Sequence, residues 1–327
     1  MTSQHLVNIF LSMGVALLLS LGIYLGIVVF FVNPYLATSE KLPNIFNFYS
    51  AEKGDLSSNV YIIGSSQVRE GVNATIIQEI WGRETITSEV YNLGYTGDTP
   101  LRRLTELQAM KASHPKIVII GISYQSFYDN GSIPYDQLLM VADKITLDNA
   151  SRDLYNADEL HWLSLNFFEN AYEKRIWVIP AISGLLERAD QNSSESLNFK
   201  DPFIYTVNET REELFKKLKD YPSEQQIYIT FPKEDNRQKE ALGYIVRQLQ
   251  DSGTRVVIVV LPLNPLLEQT INNTDRQDMR AYLNGIDAPW IDFETHYPQQ
   301  DFIDFVHMND AGREEFSSDL AKAITPD

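Results

Sequence analysis

The chain has 327 residues, and 27 Lys and Arg against 44 Asp and Glu leave a net charge of −17 at pH 7. That acidic surplus argues against a nucleic-acid binder, because phosphate contact needs a Lys/Arg face. The absence of cysteine excludes a disulfide framework, a thiol nucleophile, thiolate zinc sites and iron–sulfur clusters. With 44% hydrophobic and 11% aromatic residues there is ample material for a packed core. At roughly 100–200 residues per domain, the length allows one large domain or two small ones.

No Asp, Glu, Lys or Arg precedes Glu40, and residues 6–32 are almost wholly apolar. About 20 apolar residues cross a bilayer core, so this run is a transmembrane helix candidate. It is longer than the apolar region of a signal peptide and has no basic start, which favours an uncleaved anchor over residues 1–39. Lys41 and Lys53 beyond the span weakly favour a cytoplasmic C-terminal side. Six Asn-x-Ser/Thr sequons, at Asn73, Asn130, Asn149, Asn192, Asn208 and Asn272, pull the other way. The expectation is a single-pass protein of the cell membrane with its soluble domain outside the cytoplasm.

Residues 40–57 mix Pro, Ser and charges without period and read as a tether; residues 58–327 form the soluble domain. Five short Val- and Ile-rich runs have the pattern of buried parallel strands: Val60–Gly64, Glu89–Leu93, Val118–Gly121, Val256–Leu261 and Trp290–Phe293. Helices alternate with them. Thr99-Pro100 is a start signal for a helix over Leu101–Lys111, and Asp235–Gln250 places Ala241, Ile245, Val246 and Leu249 on one stripe. Phe316, Leu320, Ala323 and Ile324 mark the apolar face of a last helix. The alternation predicts an α/β fold, a three-layer α/β/α domain with a doubly wound parallel sheet whose site lies at the carboxyl ends of the strands. Residues 126–225 break the alternation and read as a mainly helical insertion. Its run Ile176–Leu186 is too short to span a bilayer but long enough to dock on one or on a partner.

Three strand ends carry reactive residue types. Gly64-Ser65-Ser66 closes the first strand where helix N–H groups converge, a place suited to an N-cap serine or to a nucleophile beside an oxyanion site. Asn92-Leu93-Gly94-Tyr95-Thr96-Gly97-Asp98-Thr99 is a glycine turn, either a tight turn or a backbone approach to a ligand. Asp304-Phe305-Val306-His307 puts a carboxylate three positions before a histidine at a helix start. Serine nucleophiles need such a base, and the base needs such a carboxylate to hold its tautomer.

Taken together, these blocks resemble the SGNH (GDSL-like) hydrolase superfamily. Gly64-Ser65-Ser66 matches the first block, with Ser65 where the family usually has Asp, so the nucleophile falls on Ser66. Asn92 to Thr99 looks like the second block, whose oxyanion-hole glycine matches Gly97. Asp304, His307, Asn309, Gly312 and Arg313 look like the fifth. The resemblance implies a flavodoxin-like SGNH fold, a Ser66–His307–Asp304 triad, and an oxyanion hole from the N–H groups of Ser66 and Gly97. The third block departs: Gly121-Ile122-Ser123-Tyr124 has Ser123 where the family carries an Asn donor. Losing such a donor typically costs about 2.7–4 kcal/mol of transition-state stabilisation, so either Ser123 donates its O–H or another group compensates.

The anchor, the Gly-Ser-Ser block and the missing Asn are similar to a membrane-anchored subset of the superfamily, which includes the D-alanyl-lipoteichoic acid transfer protein and the alginate O-acetylation proteins. That likeness implies a serine esterase or O-acyltransferase acting on acyl groups of a cell-surface glycan, with a membrane-bound O-acyltransferase as partner. The alternative is a non-catalytic scaffold that recruits such a partner. No nucleotide-binding loop or His-Glu-x-x-His motif appears, so no cofactor, metal or nucleic acid is expected. Arg69, Arg102 and Arg103 read as solvated helix-face charges.

Overall fold

The computed structural model describes residues 3–39, 45–49, 59–82, 88–128, 133–142, 144–183, 199–202, 209–220 and 225–325. The chain divides into two compact units: Met1–Asn47, Pro134–Lys144 and Asp158–Ser196 form one, and Phe48–Ile133, Ile145–Ala157 and Leu197–Asp327 the other.

The second unit is an α/β domain. Its five strands, β1 (Val60–Ile63), β2 (Val90–Asn92), β3 (Ile117–Ile122), β4 (Arg255–Val260) and β5 (Trp290–Asp292), make a parallel sheet in the order β2-β1-β3-β4-β5. Register pairs Val60 with both Val90 and Ile117, and Ile120 with Ile258. All five expected strands form, within a residue or two at their ends. β1 and β3 are buried along their whole length, as continuous apolar strands are when helices cover both faces of a parallel sheet.

Alternate residues serve the two faces. Val60, Ile62, Ile117, Ile119, Val257 and Val259 share a core with Trp81 of the helix Ala74–Gly82 and with Phe316 and Leu320 of the helix Asp310–Ala323. On the other face Tyr61 packs against Phe48 and Tyr49, with ring centroids 5.6 and 5.7 Å apart. The helix Arg237–Asp251 buries Leu242 and Ile245 on the side lined by Ile63 and Ile120. Helices on both faces and a 2-1-3-4-5 order make this a doubly wound sheet, with its switch point between the neighbours of β1.

The expected helix Leu101–Lys111 is instead three pieces: Pro100–Arg103, the 3-10 turn Leu104–Glu106, and Leu107–Ala112. Residues three apart eclipse in a 3-10 turn, which brings Glu106 under Arg103 in the interior. Thr99 caps the first piece, accepting from Arg102 N, with Pro100 in the first turn.

The first unit is helical. Ser3–Ile27, a π-turn at Val28–Val32 and Asn33–Ser39 run on as one helix, and Phe10–Leu36 is long and apolar enough to cross a membrane, with mean hydropathy 2.7. Val32 and Leu36 are buried with Leu139, Trp177 and Ala181. These come from the helix Tyr135–Val141, the 3-10 turn Lys174–Trp177 and the helical segment 178–183. The insertion is mainly helical where it is described and is shared between the two units; residues 129–132, 143, 184–198, 203–208 and 221–224 lie outside the described residues. Of the tether, residues 45–49 are helical and the rest lies outside the described residues.

Candidate active site

β1 ends at Ile63, and Gly64 turns the chain with φ +150°. A Cβ at Gly64 would lie 2.5 Å from Val68 Cγ2 and 2.6 Å from the Gly121 carbonyl, so only glycine fits between β1, β3 and the following helix. Ser65 caps that helix, Ser66–Gly71, accepting from Gln67 N with its side chain and from Val68 N and Arg69 N with its carbonyl. Ser65 is buried, whereas Ser66, the first helical residue, is only partly so. The two serines therefore divide the two readings of this turn: Ser65 is the cap and Ser66 presents its hydroxyl at the switch point. The Ser66 N–H, in the first helical turn, has no intrahelical acceptor.

Ser66 Oγ lies 2.8 Å from His307 Nε2, and His307 Nδ1 lies 2.7 Å from Asp304 Oδ2. Asp304 Oδ1 accepts from the Val306 and His307 N–H groups at 2.8 and 2.7 Å. With Nδ1–H donating to Asp304, Nε2 faces Ser66 as an acceptor. Burial pushes the Asp304 carboxyl up, but the His307 side chain and the two backbone donors outweigh it and hold the carboxyl below its ordinary range. The loop is pinned from both sides. Asn264, fully buried after β4, donates to the Asp304 carbonyl at 3.0 Å, and Ile303 N donates to the His307 carbonyl at 2.9 Å.

The glycine turn is fastened to the helix of Ser66. Asn92 Nδ2 donates to the Val68 and Val72 carbonyls at 3.0 and 2.7 Å, and Asn92 Oδ1 accepts from Gly94 N. Tyr95 N donates to the Gly64 carbonyl at 3.0 Å. Gly97 has φ +67°, inside a turn closed by Asp98 N and the Tyr95 carbonyl.

Arg69 and Arg103 are not solvated helix-face charges, whereas Arg102 is half-buried at the surface. Arg103 is buried: its guanidinium lies over the Tyr95 ring, donates to Asp98, and reaches Glu106 Oε2 at 2.9 Å. Tyr49 also donates to Glu106. Burial raises the Glu106 carboxyl above its ordinary value despite Arg103. Arg69 is buried against Glu70 and Thr96, and Arg102 donates to the Thr96 and Gly97 carbonyls. A desolvated guanidinium needs such partners, and the glycine turn supplies Thr96 to Arg69 and Asp98 to Arg103.

Ser123 lies at the end of β3, and its hydroxyl donates to Gln67 Oε1 at 2.6 Å. Gln67 is 4% exposed, and its Nε2 has no hydrogen-bond partner among the described residues. Gln67 and Asn264 are site-building residues that motif reading passed over; by sequence Asn92 reads only as part of the glycine turn and Arg103 only as a surface charge. Asn92 and Asn264 carry a sequence signal, the first as the last residue of β2 ahead of a Gly turn and the second in the loop after β4 directly before Pro265. A cavity beside the turn is lined by Gly64, Ser65, Asp98, Pro100 and Leu242 but not by Ser66 or His307. Among the described residues no group of three or more His, Asp or Glu side chains is placed to hold a metal ion.

No protein-family model matches this chain, and no curated protein matches it. Among solved structures it is similar to a GDSL-like lipase from Bacteroides thetaiotaomicron VPI-5482, with 10% identity over 85% of this chain and 98% of that one, at a TM-score of 0.34. It is also similar to a gut microbial diltiazem-metabolizing enzyme, with 12% identity, 81% of this chain and 46% of that one covered, and a TM-score of 0.34.

Proposed function

We propose that this protein is a membrane-tethered serine esterase or O-acyltransferase that works through an acyl-enzyme on Ser66. The reading is carried by one observation, the continuous relay from Ser66 Oγ through His307 to Asp304 at 2.8 and 2.7 Å. His307 Nε2 takes the Ser66 proton as Oγ attacks the acyl carbonyl, and Asp304 stabilises the imidazolium that forms. The protonated His307 then gives its proton to the leaving oxygen, and the acceptor that follows, water or a sugar hydroxyl, is deprotonated by the same nitrogen.

The tetrahedral oxyanion is held by the N–H groups of Ser66 and Gly97, and by the Gln67 amide in place of the third-block Asn. What supports Gln67 is its unpartnered, buried Nε2 one residue from the nucleophile. A buried donor left unpaired costs about 1–3 kcal/mol, and a substrate oxyanion is the acceptor that relieves it. Ser123 acts through Gln67, orienting the amide by donating to Oε1.

The acyl group belongs to a cell-surface glycan, and a membrane-bound O-acyltransferase is the partner that supplies or receives it. Support comes from the resemblance to membrane-anchored O-acylation proteins and from the helix over residues 3–39. Val32 and Leu36 of that helix are built into a core with Trp177 and Ala181, which cleavage as a signal peptide would strip bare.

Full-length protein in detergent, treated with a fluorophosphonate probe, tests the chemistry. Labelling is expected in wild type and Ser65→Ala and is lost in Ser66→Ala. Folded wild type that never labels, or Ser66→Ala that still does, overturns the reading, and the scaffold alternative takes its place.

A further inference from the structure

The helical stretch 167–183 is inside out. The helix Phe167–Glu173, the turn Lys174–Trp177 and residues 178–183 bury one stripe that contains Asn170, Ala171, Lys174, Trp177 and Ala181. The opposite stripe exposes Phe167, Phe168, Tyr172, Ile176, Ile179 and Ile182; Phe168 is 61% and Ile179 76% exposed. A surface helix in water does the reverse, turning its charges out and its apolar side chains in.

The charged groups do not repair this pattern, because each is already engaged. Lys174 Nζ donates to Asn33 Oδ1 at 3.2 Å, Arg175 pairs with Glu173 at 2.8 Å, and the Glu169 carboxylate accepts from Asn166 N at the cap. Arg175 also lies over the Tyr172 ring, 4.2 Å from its centroid.

The buried stripe rests on the apolar helix. Contacts run from Tyr24, whose hydroxyl donates to the Ala171 carbonyl, to Val32 and Leu36, which share a core with Trp177 and Ala181. Val29, Phe30 and Phe31 of the same helix segment are exposed as well. The apolar run Phe10–Leu36 has 27 residues. At 1.5 Å per residue that is about 40 Å, roughly 10 Å more than a bilayer core requires. The stretch 167–183 packs on the C-terminal part of that run, at Tyr24, Val32 and Leu36.

We infer that residues 167–183 form a membrane-inserted shelf, whose outer face lies among the lipid headgroups and upper acyl chains around the C-terminal end of the span. This rests on the reading of residues 10–36 as a bilayer-crossing helix. Lipid is the occupant because the exposed stripe lies on the same helical unit as the exposed flank of the span, so both apolar faces meet one medium. The aromatic side chains at Phe167, Phe168 and Tyr172 and the paired charges suit an interfacial helix.

The chain has no cysteine, so single-cysteine nitroxide labels report depth cleanly. Full-length Phe168→Cys, Ile176→Cys and Ile179→Cys would be reconstituted into mixed phosphatidylcholine and phosphatidylglycerol vesicles. Leu18→Cys marks the span, and Glu240→Cys marks an exposed helix face of the α/β unit. Collision with oxygen and with a water-soluble nickel chelate is then measured. The shelf predicts an oxygen-to-nickel ratio at 168, 176 and 179 several-fold above that at 240. Nickel access at these three sites with a lipid signature at 18 overturns the shelf and leaves the span standing. Nickel access at 18 overturns the span reading itself. Low collision with both agents at 168, 176 and 179 overturns the lipid assignment in favour of a protein partner or a second copy.

Discussion

The helix Arg237–Asp251 and the stretch 167–183 each bury a stripe at helical spacing, yet they turn opposite chemistry outward. The first hides Ala241, Leu242, Ile245, Val246 and Leu249, with Gln238 and Lys239 buried in its first turn, and exposes Glu240, Arg247 and Asp251 rather than any large apolar side chain. The second hides Asn170 and Lys174 with Trp177 and leaves Phe and Ile outside. Period alone determines that a segment is a helix and which residues share a side. The chemistry of the outer side is what distinguishes the two units, and the proposed shelf assigns water to one and lipid to the other. In the α/β unit buried polar groups hold the turn that carries Ser66; in the helical unit Asn170 donates to the Leu139 carbonyl and Lys174 to Asn33.

If the two units divide labour in this way, substitutions around Ser66 change turnover and leave the protein in the membrane fraction. Asp304→Asn is the strongest test. It keeps the shape of the loop but presents the wrong histidine tautomer, and a fall in kcat on the order of 10⁴ is expected on a p-nitrophenyl ester, with membrane retention as in wild type. Retention that falls in step with activity would break the comparison, because the loop would then hold more than the site.

A smaller effect is expected of Gln67→Met. Removing an oxyanion donor lowers kcat by about 10²–10³ with KM little changed. A Gln67 that served only packing would change the urea midpoint and leave kcat alone. Met removes the unpartnered Nε2 but also the acceptor of the buried Ser123 hydroxyl, so a stability loss of about 1–3 kcal/mol is expected beside the fall in kcat, and kcat is the readout that decides.

The subtlest test is pH. The Asp304 carboxyl is held below its ordinary value by the His307 side chain and two backbone donors, against burial that raises it. Its contribution to stability is therefore present above the unfolded carboxylate value of about 3.9, and is lost as pH falls through the lower folded value. Urea midpoints of wild type and Asp304→Asn should differ by a constant amount near neutrality and converge below about pH 4. A gap that persists in acid would mean that Asn264 and the backbone, rather than the charge, hold the loop.

Much of the fold was legible because strands buried on both faces are written as unbroken Val and Ile runs, and all five were found. Local pattern leaves the Ser-Ser at the strand end as cap or nucleophile; the family resemblance places the nucleophile on Ser66, and it is Ser66 whose Oγ lies 2.8 Å from His307 Nε2 while Ser65 caps the helix. Arg69 and Arg103 were misread because a charged side chain on a short helix is ordinarily wet. Here Thr96 and Asp98, partners that offset the cost of burial, come from the glycine turn, and Glu106 comes under Arg103 through the 3-10 turn, a break in the helix that no local pattern reveals. Gln67 and Ser123 are 56 positions apart, and neither carries a motif that names the other.

The amino-acid sequence by itself determined the parallel α/β sheet, the apolar N-terminal helix and the strand ends where chemistry gathers. These depend on local periodicity, turn chemistry and the length of an apolar run. The tertiary structure decided how near Ser66 comes to the histidine, which amide next to Ser66 in the chain stands unpaired, and that the helical stretch 167–183 wears its apolar face outside. Each of these depends on groups distant in the chain coming within hydrogen-bonding or packing range, and a distance of that kind is set by the whole fold.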